Sequence, residues 1–271
     1  MIVPTRPLWL LGRDLSQSPS PLLHNAALAA LGAPPLYALH AVEPADVERA
    51  FDDAEHTCRG SNVTAPYKLR AAERWRAVLD DTARAVGAVN TVVFERDRAV
   101  SAHNTDVRGL LTAWRRASVD VTGRVVAVLG AGGAARAAVV AAGEAKARAV
   151  ALSARRTDAA DALATLARAR GLAVVDEPAQ LVVLAASALE DPGAAIARAL
   201  RGPGSVHELR YGAAARTSRD AALKAGHVFL DGTSMLLAQA QAALALFLGG
   251  TLPDHASAAM AAAVSAWLKR T

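Results

Sequence analysis

The alternation of apolar and polar residues predicts strands and helices that follow one another along the chain. Apolar stretches at 7–12 and 35–42 have the length and composition of strands, and helix-like stretches at 21–32 and 44–56 follow them. Gly32 stands where the first of these helices should end. The first part of the chain is therefore predicted to be mixed α/β structure.

A lysine occupies the start of the next predicted helix. A short strand at 60–64 leads to Pro66, which fits the first helical position because the N–H that proline lacks would be unpaired there. Lys68 then lies in the first turn, at the positive end of the helix dipole, where carboxylates are normally favoured. Two interpretations stay open: a solvated lysine, or one whose pKa is lowered for proton transfer. A hairpin over 88–104 is predicted to follow.

The second part of the chain repeats a strand–helix unit. Asp106 begins a helix, and buried strands then alternate with helices, which predicts a parallel sheet with helices on both faces. Two helices close the chain, the second with Asp254 as its N-cap. We expect an α/β fold of two domains, one over 1–105 completed by 236–271 and the other over 106–235.

The segment VLGAGGAARA follows a buried strand and opens a helix. Its Gly130, Gly132 and Ala135 satisfy the pattern of a dinucleotide-binding turn, with Gly133 as a further glycine. Gly130 allows the tight turn, Gly132 lets the backbone approach a pyrophosphate, and Ala135 permits close packing of helix on strand. The alternative is a glycine turn that only packs. The pattern favours a Rossmann-type, doubly wound domain.

The end of the following strand indicates which dinucleotide is bound. A domain that binds NAD usually carries an acidic residue there, but this chain has Arg155 and Arg156. Guanidinium groups can pair with a 2′-phosphate, which favours NADP over NAD. The alternative is that both arginines are solvated, and the nearby Asp158 weakens the case for NADP.

Three further polar features are candidates for chemistry or for structure alone. Lys68 and Asp106 could handle the hydroxyl proton that accompanies hydride transfer to or from an alcohol carbon, although Asp106 is equally suited to be an N-cap. Ser18 and Ser20 could present both hydroxyls to one ligand group or form an ordinary loop. His24 fits a packed histidine better than a base.

Composition excludes several classes of protein. The chain has 271 residues, 53% of them hydrophobic, and a formal charge of +5 without clustering of basic residues, and aromatic residues make up only 4%. Neither a stacking platform for nucleic acid nor a clustered metal site is expected, and no apolar run reaches the ~20 residues of a membrane span. One cysteine, Cys58, and the lack of a signal peptide favour the cytoplasm.

Ordered motifs across nearly the whole chain resemble those of the shikimate dehydrogenase family. They are GRDLSQSPSPLLHN (12–25), GSNVTAPYK (60–68), GAVNT (87–91), HNTDVRGL (103–110), VLGAGGAARA (128–137), ARRT (154–157) and GTSMLLAQA (232–240).

The resemblance implies a two-domain enzyme that interconverts 3-dehydroshikimate and shikimate with NADP, in aromatic amino acid biosynthesis. It implies a catalytic pair, Lys68 and Asp106, in which Lys68 relays the hydroxyl proton. It also implies an N-terminal substrate domain and an NADP-binding second domain. The substrate would be bound by Ser18, Ser20, Thr64, Asn90, Tyr211 and Gln239, with Asn62 in support. NADP would be bound by Gly130, Ala131, Gly132, Gly133, Ala134, Arg155, Arg156, Thr157 and Gly232.

Some positions depart from the family pattern, mostly on the cofactor side. The stretch 181–187 lacks the usual Asn-Ala-Thr loop, and Ala213 and Arg216 stand where proline and threonine are usual. These departures leave two alternatives open, a dehydrogenase of a related ring acid such as quinate or an aminoshikimate, and a non-catalytic relative that binds ligand. As partners we expect a small-molecule substrate, no nucleic acid, no membrane, and a monomer or a homodimer.

Overall fold

The computed structural model describes residues 4–186 and 189–270, and the chain divides into two compact units. The first unit comprises Met1–Thr105 with Leu237–Thr271, and the second comprises Asp106–Leu236. Ser187, the end of one predicted strand-like stretch, lies outside the described residues.

The first unit is built on a five-stranded mixed sheet. Its strands are β1 (Leu8–Gly12), β2 (Tyr37–Ala41), β3 (Gly60–Val63), β4 (Thr91–Glu95) and β5 (Arg98–His103), in the order β2-β1-β3-β4-β5. β1 pairs in parallel with β2 and β3, whereas β3, β4 and β5 pair antiparallel. The antiparallel pair β4–β5 is the predicted hairpin, and Arg96 and Asp97 take the positive φ angles that its tight turn requires.

The helices of the first unit come from both parts of its sequence. They are α1 (Ser20–Ala30), α2 (Val47–Thr57), α3 (Lys68–Arg74), α4 (Asp81–Val86) and α11 (Asp254–Leu268), while α10 (Thr233–Phe247) runs from the second unit into the first. α11 packs along α1. The buried ring of Phe247 occupies the space that a side chain at Gly60 would need, since a Cβ there would overlap the ring.

The second unit is a doubly wound parallel sheet. Its elements are α5 (Asp106–Arg116), β6 (Val125–Leu129), α6 (Gly133–Glu144), β7 (Ala149–Ser153), α7 (Thr157–Ala169), β8 (Ala173–Val174), β9 (Ala179–Leu184), α8 (Pro192–Ala199), β10 (Leu200–Glu208), α9 (Arg216–Lys224) and β11 (Val228–Leu230). The strand order is β11-β10-β9-β6-β7-β8, with every pair parallel. This is the Rossmann order, in which the strand sequence reverses between β6 and β9.

The start of the lysine helix differs from the prediction. Pro66 is not the first helical residue, because it lies in a turn after a cis Ala65–Pro66 bond, and the helix begins at Lys68. The turn is closed by the N–H of Tyr67, which donates to the carbonyl oxygen of Thr64 at 2.9 Å. Lys68 therefore occupies the first position of α3 itself.

Two other helix starts also differ. The α-helix predicted from Pro44 begins at Val47, after a 3₁₀ turn over Pro44–Asp46. Asp254 is not the N-cap of α11, because Pro253 occupies that position in extended conformation and Asp254 is the first helical residue. The carboxylate of Asp254 still lies in the first turn, where the helix dipole favours it.

Residues 69–80 have the composition of one continuous helix, but they do not form one. The lysine helix ends at Arg74, and Asp80 starts a new helix by accepting a hydrogen bond from the N–H of Ala83 at 2.6 Å. Gly87 ends α4 with φ +66°, so the Asp and Gly on either side of this segment are the usual helix boundary signals. No helix among residues 4–186 and 189–270 is long and apolar enough to cross a membrane.

Candidate active site

A buried hydrogen-bond network lies at one edge of the first sheet, where β3 ends and β4 begins. The side-chain N–H₂ of Asn62 donates to the carbonyl oxygen of Asn90 at 3.0 Å and to the hydroxyl of Thr91 at 2.9 Å. The side-chain oxygen of Asn90 accepts from the N–H of Thr105 at 2.8 Å. Buried polar groups that are fully partnered form rigid arrangements. This network therefore fixes Asn90, one of the predicted substrate-binding residues.

The two predicted serines join this network through a tyrosine. The Ser18 hydroxyl lies 3.2 Å from that of Ser20, and Ser20 hydrogen-bonds with the phenol of Tyr37. The phenol donates to the side-chain oxygen of Asn62 at 2.8 Å. Burial raises the pKa of Tyr37, so its phenol is neutral at physiological pH. The structure therefore places the two serine hydroxyls side by side.

Gln239 reaches the same network from α10. The Thr105 hydroxyl donates to its side-chain oxygen at 3.4 Å, and Thr105 also accepts from the side-chain N–H₂ of Asn90 at 3.0 Å. The structure thus brings Ser18, Ser20, Asn90 and Gln239 into one hydrogen-bonded chain within the first unit.

Thr64 begins the turn that leaves β3, and Lys68 is the first residue of α3 directly after that turn. The N–H of Thr64 donates to the carbonyl oxygen of Leu11 at 2.8 Å, and a Cβ at Gly12 would lie 2.5 Å from the Thr64 methyl group. The half-buried Lys68 accepts a backbone hydrogen bond from Val89 at 2.8 Å. The turn is therefore held against both β1 and the segment that carries Asn90.

His24 is a packed histidine, as its position on α1 suggested. It is 1% exposed, and its ring stacks on that of Tyr37 with centroids 4.0 Å apart and planes 4° apart. Burial lowers the pKa of His24 to about 3, so the ring is uncharged at neutral pH. It supports the tyrosine that connects the serines to Asn62.

In the second unit, the glycine turn lies at the point where the strand order reverses. Gly130 has φ +125°, and a Cβ there would lie 2.9 Å from the backbone of Ala185 and Ala186 after β9. A Cβ at Gly132 would meet nothing within 4 Å, so the backbone is open to a ligand at that point. Gly132 is the N-cap of α6, whose first N–H groups no described side chain caps. These features fit a dinucleotide pyrophosphate.

The two predicted arginines follow β7 on the surface of the second unit. Arg155 and Arg156 are both exposed, and Thr157 is the first residue of α7. Arg156 forms an ion pair with Asp158, in which Nε lies 3.1 Å from Oδ1 and Nη2 lies 2.5 Å from Oδ2. The guanidinium lowers the pKa of the Asp158 carboxyl. Exposed pairs of this kind contribute little stability, so the guanidinium is available to an incoming phosphate.

The remaining predicted residues of the second unit lie at helix and strand ends. Asp106 is 3% exposed and begins α5. Tyr211 is half-buried after β10, and burial raises its pKa. Gly232 follows β11, and its N–H donates to the carbonyl oxygen of Arg210 at 2.9 Å. Ala131 and Ala134 flank Gly132 and Gly133 in the turn before and within α6.

Known proteins are similar to this chain over most of its length. It is 35% identical over 261 residues to the shikimate dehydrogenase (NADP(+)) of Methylobacterium radiotolerans, covering 89% of this chain and 90% of that protein. The chain belongs to the shikimate dehydrogenase family. A family model described as the shikimate dehydrogenase substrate binding domain matches residues 10–92, the range that contains Ser18, Ser20, Thr64, Lys68 and Asn90.

Two other family members resemble the chain over different lengths. The shikimate dehydrogenase (NADP(+)) of Rubrobacter xylanophilus is 44% identical over 133 residues, and the chain spans about half the length of that relative, 46%. The crystal structure of shikimate 5-dehydrogenase from Thermus thermophilus in complex with NADP(H) and shikimate superposes with a TM-score of 0.81. It is 30% identical, covering 97% of this chain and 99% of that one.

Tyr37, which joins the serines to Asn62, was not predicted as part of the site. Nothing in the apolar stretch around it distinguishes a tyrosine that packs from one that donates to a buried amide. Among the described residues no group of three or more His, Cys, Asp or Glu could hold a metal ion.

We expect His24 to make stability depend on pH. Its pKa of about 3 in the folded chain lies below the usual 6.5, so the unfolded chain binds the extra proton. The stabilisation is complete above pH 6.5 and is lost progressively as the pH falls toward 3. Between pH 7 and pH 5, the free energy of urea unfolding should fall by about 2 kcal/mol more in the wild type than in His24→Phe.

The matched control is His255→Phe, which removes an exposed histidine from α11 and should keep the wild-type pH dependence. Equal pH dependence in the wild type and His24→Phe would show that His24 is protonated in the folded chain.

Proposed function

We propose that this chain is an oxidoreductase that interconverts 3-dehydroshikimate and shikimate with NADP(H). One observation carries the proposal. A hydrogen-bond network joins Ser18, Ser20, Asn90 and Gln239 in a protein of the shikimate dehydrogenase family. A polyhydroxylated ring acid needs several fixed polar groups within one site, and this network offers hydroxyl and amide groups held by buried partners. The Thermus relative was crystallised with both NADP(H) and shikimate.

The polar residues of the first unit would bind the substrate. Ser18 and Ser20 would donate their hydroxyls to the carboxylate, because two hydroxyls 3.2 Å apart match its two oxygens. Thr64, Asn90 and Gln239 would hold the ring hydroxyls or that carboxylate, and Tyr211 would also bind the substrate. His24 and Tyr37 behind the serines are uncharged, so neither side chain adds a charge that would attract or repel the carboxylate.

Lys68 and Asp106 are proposed as the two catalytic residues. In alcohol oxidation Lys68 would accept the proton that leaves the substrate hydroxyl, and in the reverse direction it would donate a proton to the carbonyl oxygen. Asp106 would be the second member of this catalytic pair. The backbone bond from Val89 to Lys68 holds the start of α3 next to the segment that carries Asn90.

The second unit fits NADP, which would supply or accept the hydride when bound. Gly130, Ala131, Gly132, Gly133 and Ala134 would surround the pyrophosphate at the start of α6. Arg155, Arg156 and Thr157 would bind the 2′-phosphate, and Gly232 would border the nicotinamide side. The open space at Gly132 and the exposed guanidinium groups support this assignment.

As partners we propose the small-molecule substrate and NADP, with neither nucleic acid nor a membrane, and a monomer or a homodimer as the assembly.

The compartment we propose is the cytoplasm. The single cysteine, Cys58, is fully buried and cannot form an internal disulfide, and burial raises the pKa of its thiol to about 12. Such a thiol stays protonated and unreactive.

The experiment that tests the function follows nicotinamide absorbance after shikimate and NADP are mixed with the purified protein. Shikimate-dependent reduction of NADP is expected. Reduction only with quinate or with an aminoshikimate would assign the chain to a related ring acid. Calorimetric binding of shikimate without any turnover would instead identify a non-catalytic relative.

Replacing Lys68 by alanine should abolish most turnover. If Lys68 relays the proton, Lys68→Ala should lower kcat by a factor on the order of 10²–10⁴, while shikimate still binds. The control is Lys224→Ala, which removes an exposed lysine from α9 and should leave kcat unchanged. A Lys68→Ala protein with kcat within threefold of the wild type would refute the role of proton relay.

Asp158 should weaken the preference for NADP, because its carboxylate pairs with the guanidinium of Arg156 and competes with the 2′-phosphate for it. The pair is exposed and contributes at most about 1 kcal/mol, so Asp158→Asn should lower KM for NADP by about two- to fivefold. KM for NAD should not change. Asp161→Asn, which removes the same charge from an exposed position of α7, is the matched control. Equal effects of both variants would attribute the change to net charge rather than to the ion pair.

A further inference from the structure

A buried carboxylate lies at the end of β10 in the second unit. Glu208 is the last residue of that strand, and it is 0% exposed. A carboxylate without water is stable only when its oxygens are paired and hydrogen-bonded. The arrangement around Glu208 therefore has to satisfy both oxygens from within the protein.

Four donors from two residues satisfy these oxygens. Oε1 accepts from the backbone N–H of Arg210 at 3.0 Å and from its Nε at 3.1 Å. Oε2 accepts from Arg210 Nη2 at 2.6 Å and from the Ser218 hydroxyl at 2.8 Å. An ionised carboxylate has about four acceptor sites, so this one is saturated. It cannot act as a base or as a ligand group, and its role has to be exerted through the residues it holds.

The carboxylate connects the two ends of the loop that carries Tyr211. Glu208 and Arg210 enter this loop from β10, and Ser218 lies on α9, where the loop has ended. Tyr211 directly follows Arg210, and Gly212 takes φ +59° at the start of a 3₁₀ turn. Because Ser218 is itself 0% exposed, both ends of the loop are attached to one buried group.

The same loop also contacts Gly232. The Gly232 N–H donates to the carbonyl oxygen of Arg210, and a Cβ at Gly232 would overlap the carbonyl oxygen of Leu209. Glu208 therefore fixes the same stretch of backbone that Gly232 contacts. Two residues with proposed ligand roles, Tyr211 and Gly232, depend on a single carboxylate.

We propose that Glu208 is a positioning residue, which acts with Arg210 and Ser218 to set Tyr211 and Gly232 for binding of substrate and cofactor. The inference rests on the proposed function for the identity of the ligands. It assigns a role to three residues that contact the loop and need not contact either ligand.

Amide hydrogen exchange without any ligand tests the positioning directly. Glu208→Gln keeps the shape of the side chain but loses its charge and one acceptor. Exchange at the N–H groups of Arg210 and Gly232 should become about tenfold faster, while exchange in β6 stays unchanged. Ser218→Ala, which removes one donor, should give a smaller increase at the same two N–H groups. The control is Glu177→Gln, which breaks the exposed Arg148–Glu177 pair of the same unit and should change neither.

Unchanged exchange at Arg210 and Gly232 in both Glu208→Gln and Ser218→Ala would overturn the proposal. A uniform increase that includes β6 would also overturn it, since it would show only a general loss of stability. Because no ligand is present, this result does not depend on whether the chain reduces NADP with shikimate.

Kinetics then test whether Glu208 acts through Tyr211. Glu208→Gln should raise KM for shikimate by about tenfold and change kcat little, because a misplaced Tyr211 weakens binding. In a Tyr211→Phe background the same change should have a much smaller effect, since residues that act through one contact are not additive. Fully additive effects would refute action through Tyr211. Absence of turnover in the wild type would instead refute the proposed function.

Discussion

The fold of the first unit depends on the requirement that the buried carboxamide of Asn62 be fully hydrogen-bonded. Its N–H₂ group needs two acceptors and its oxygen needs a donor, and Asn90, Thr91 and Tyr37 supply them. Asn90 and Thr91 stand together at the start of β4, and Tyr37 is the first residue of β2. Satisfying one amide therefore fixes the register where β3 changes from a parallel to an antiparallel neighbour. The serines and Gln239 are joined to Asn90 through this network.

In the second unit the corresponding constraint is the close approach of backbone segments at the ends of the strands, which leaves no room for a side chain. Gly130 is close enough to Ala185 that no side chain fits, and Gly232 is close enough to Leu209 that none fits there. These two approaches lie after β6 and β11, on either side of β9 and β10. Backbone atoms rather than side chains therefore fill the space at these two points. The side chains of Arg155 and Arg156, which follow β7, are exposed instead.

Much of this arrangement could be predicted from local patterns. The alternation of apolar residues gave the order of strands and helices, and the glycine spacing gave the turn between β6 and α6, because both depend on residues close in sequence. The start of α3 was wrong by two positions because Pro66 is equally suited to a turn. The hydrogen bonds of Tyr37 and Glu208 were not predictable, since their partners come from other elements and nothing near them in sequence marks them.

The discontinuity of the first unit has a consequence for how the chain folds during synthesis. All strands and helices of the second unit, up to Leu236, come from one continuous segment. The five strands of the first unit are synthesised before that segment, but α11, which covers α1, and Phe247, which packs at Gly60, are synthesised after it. The first sheet therefore keeps apolar surface exposed while the second unit is being made. Apolar surface that stays uncovered during that interval is prone to aggregation.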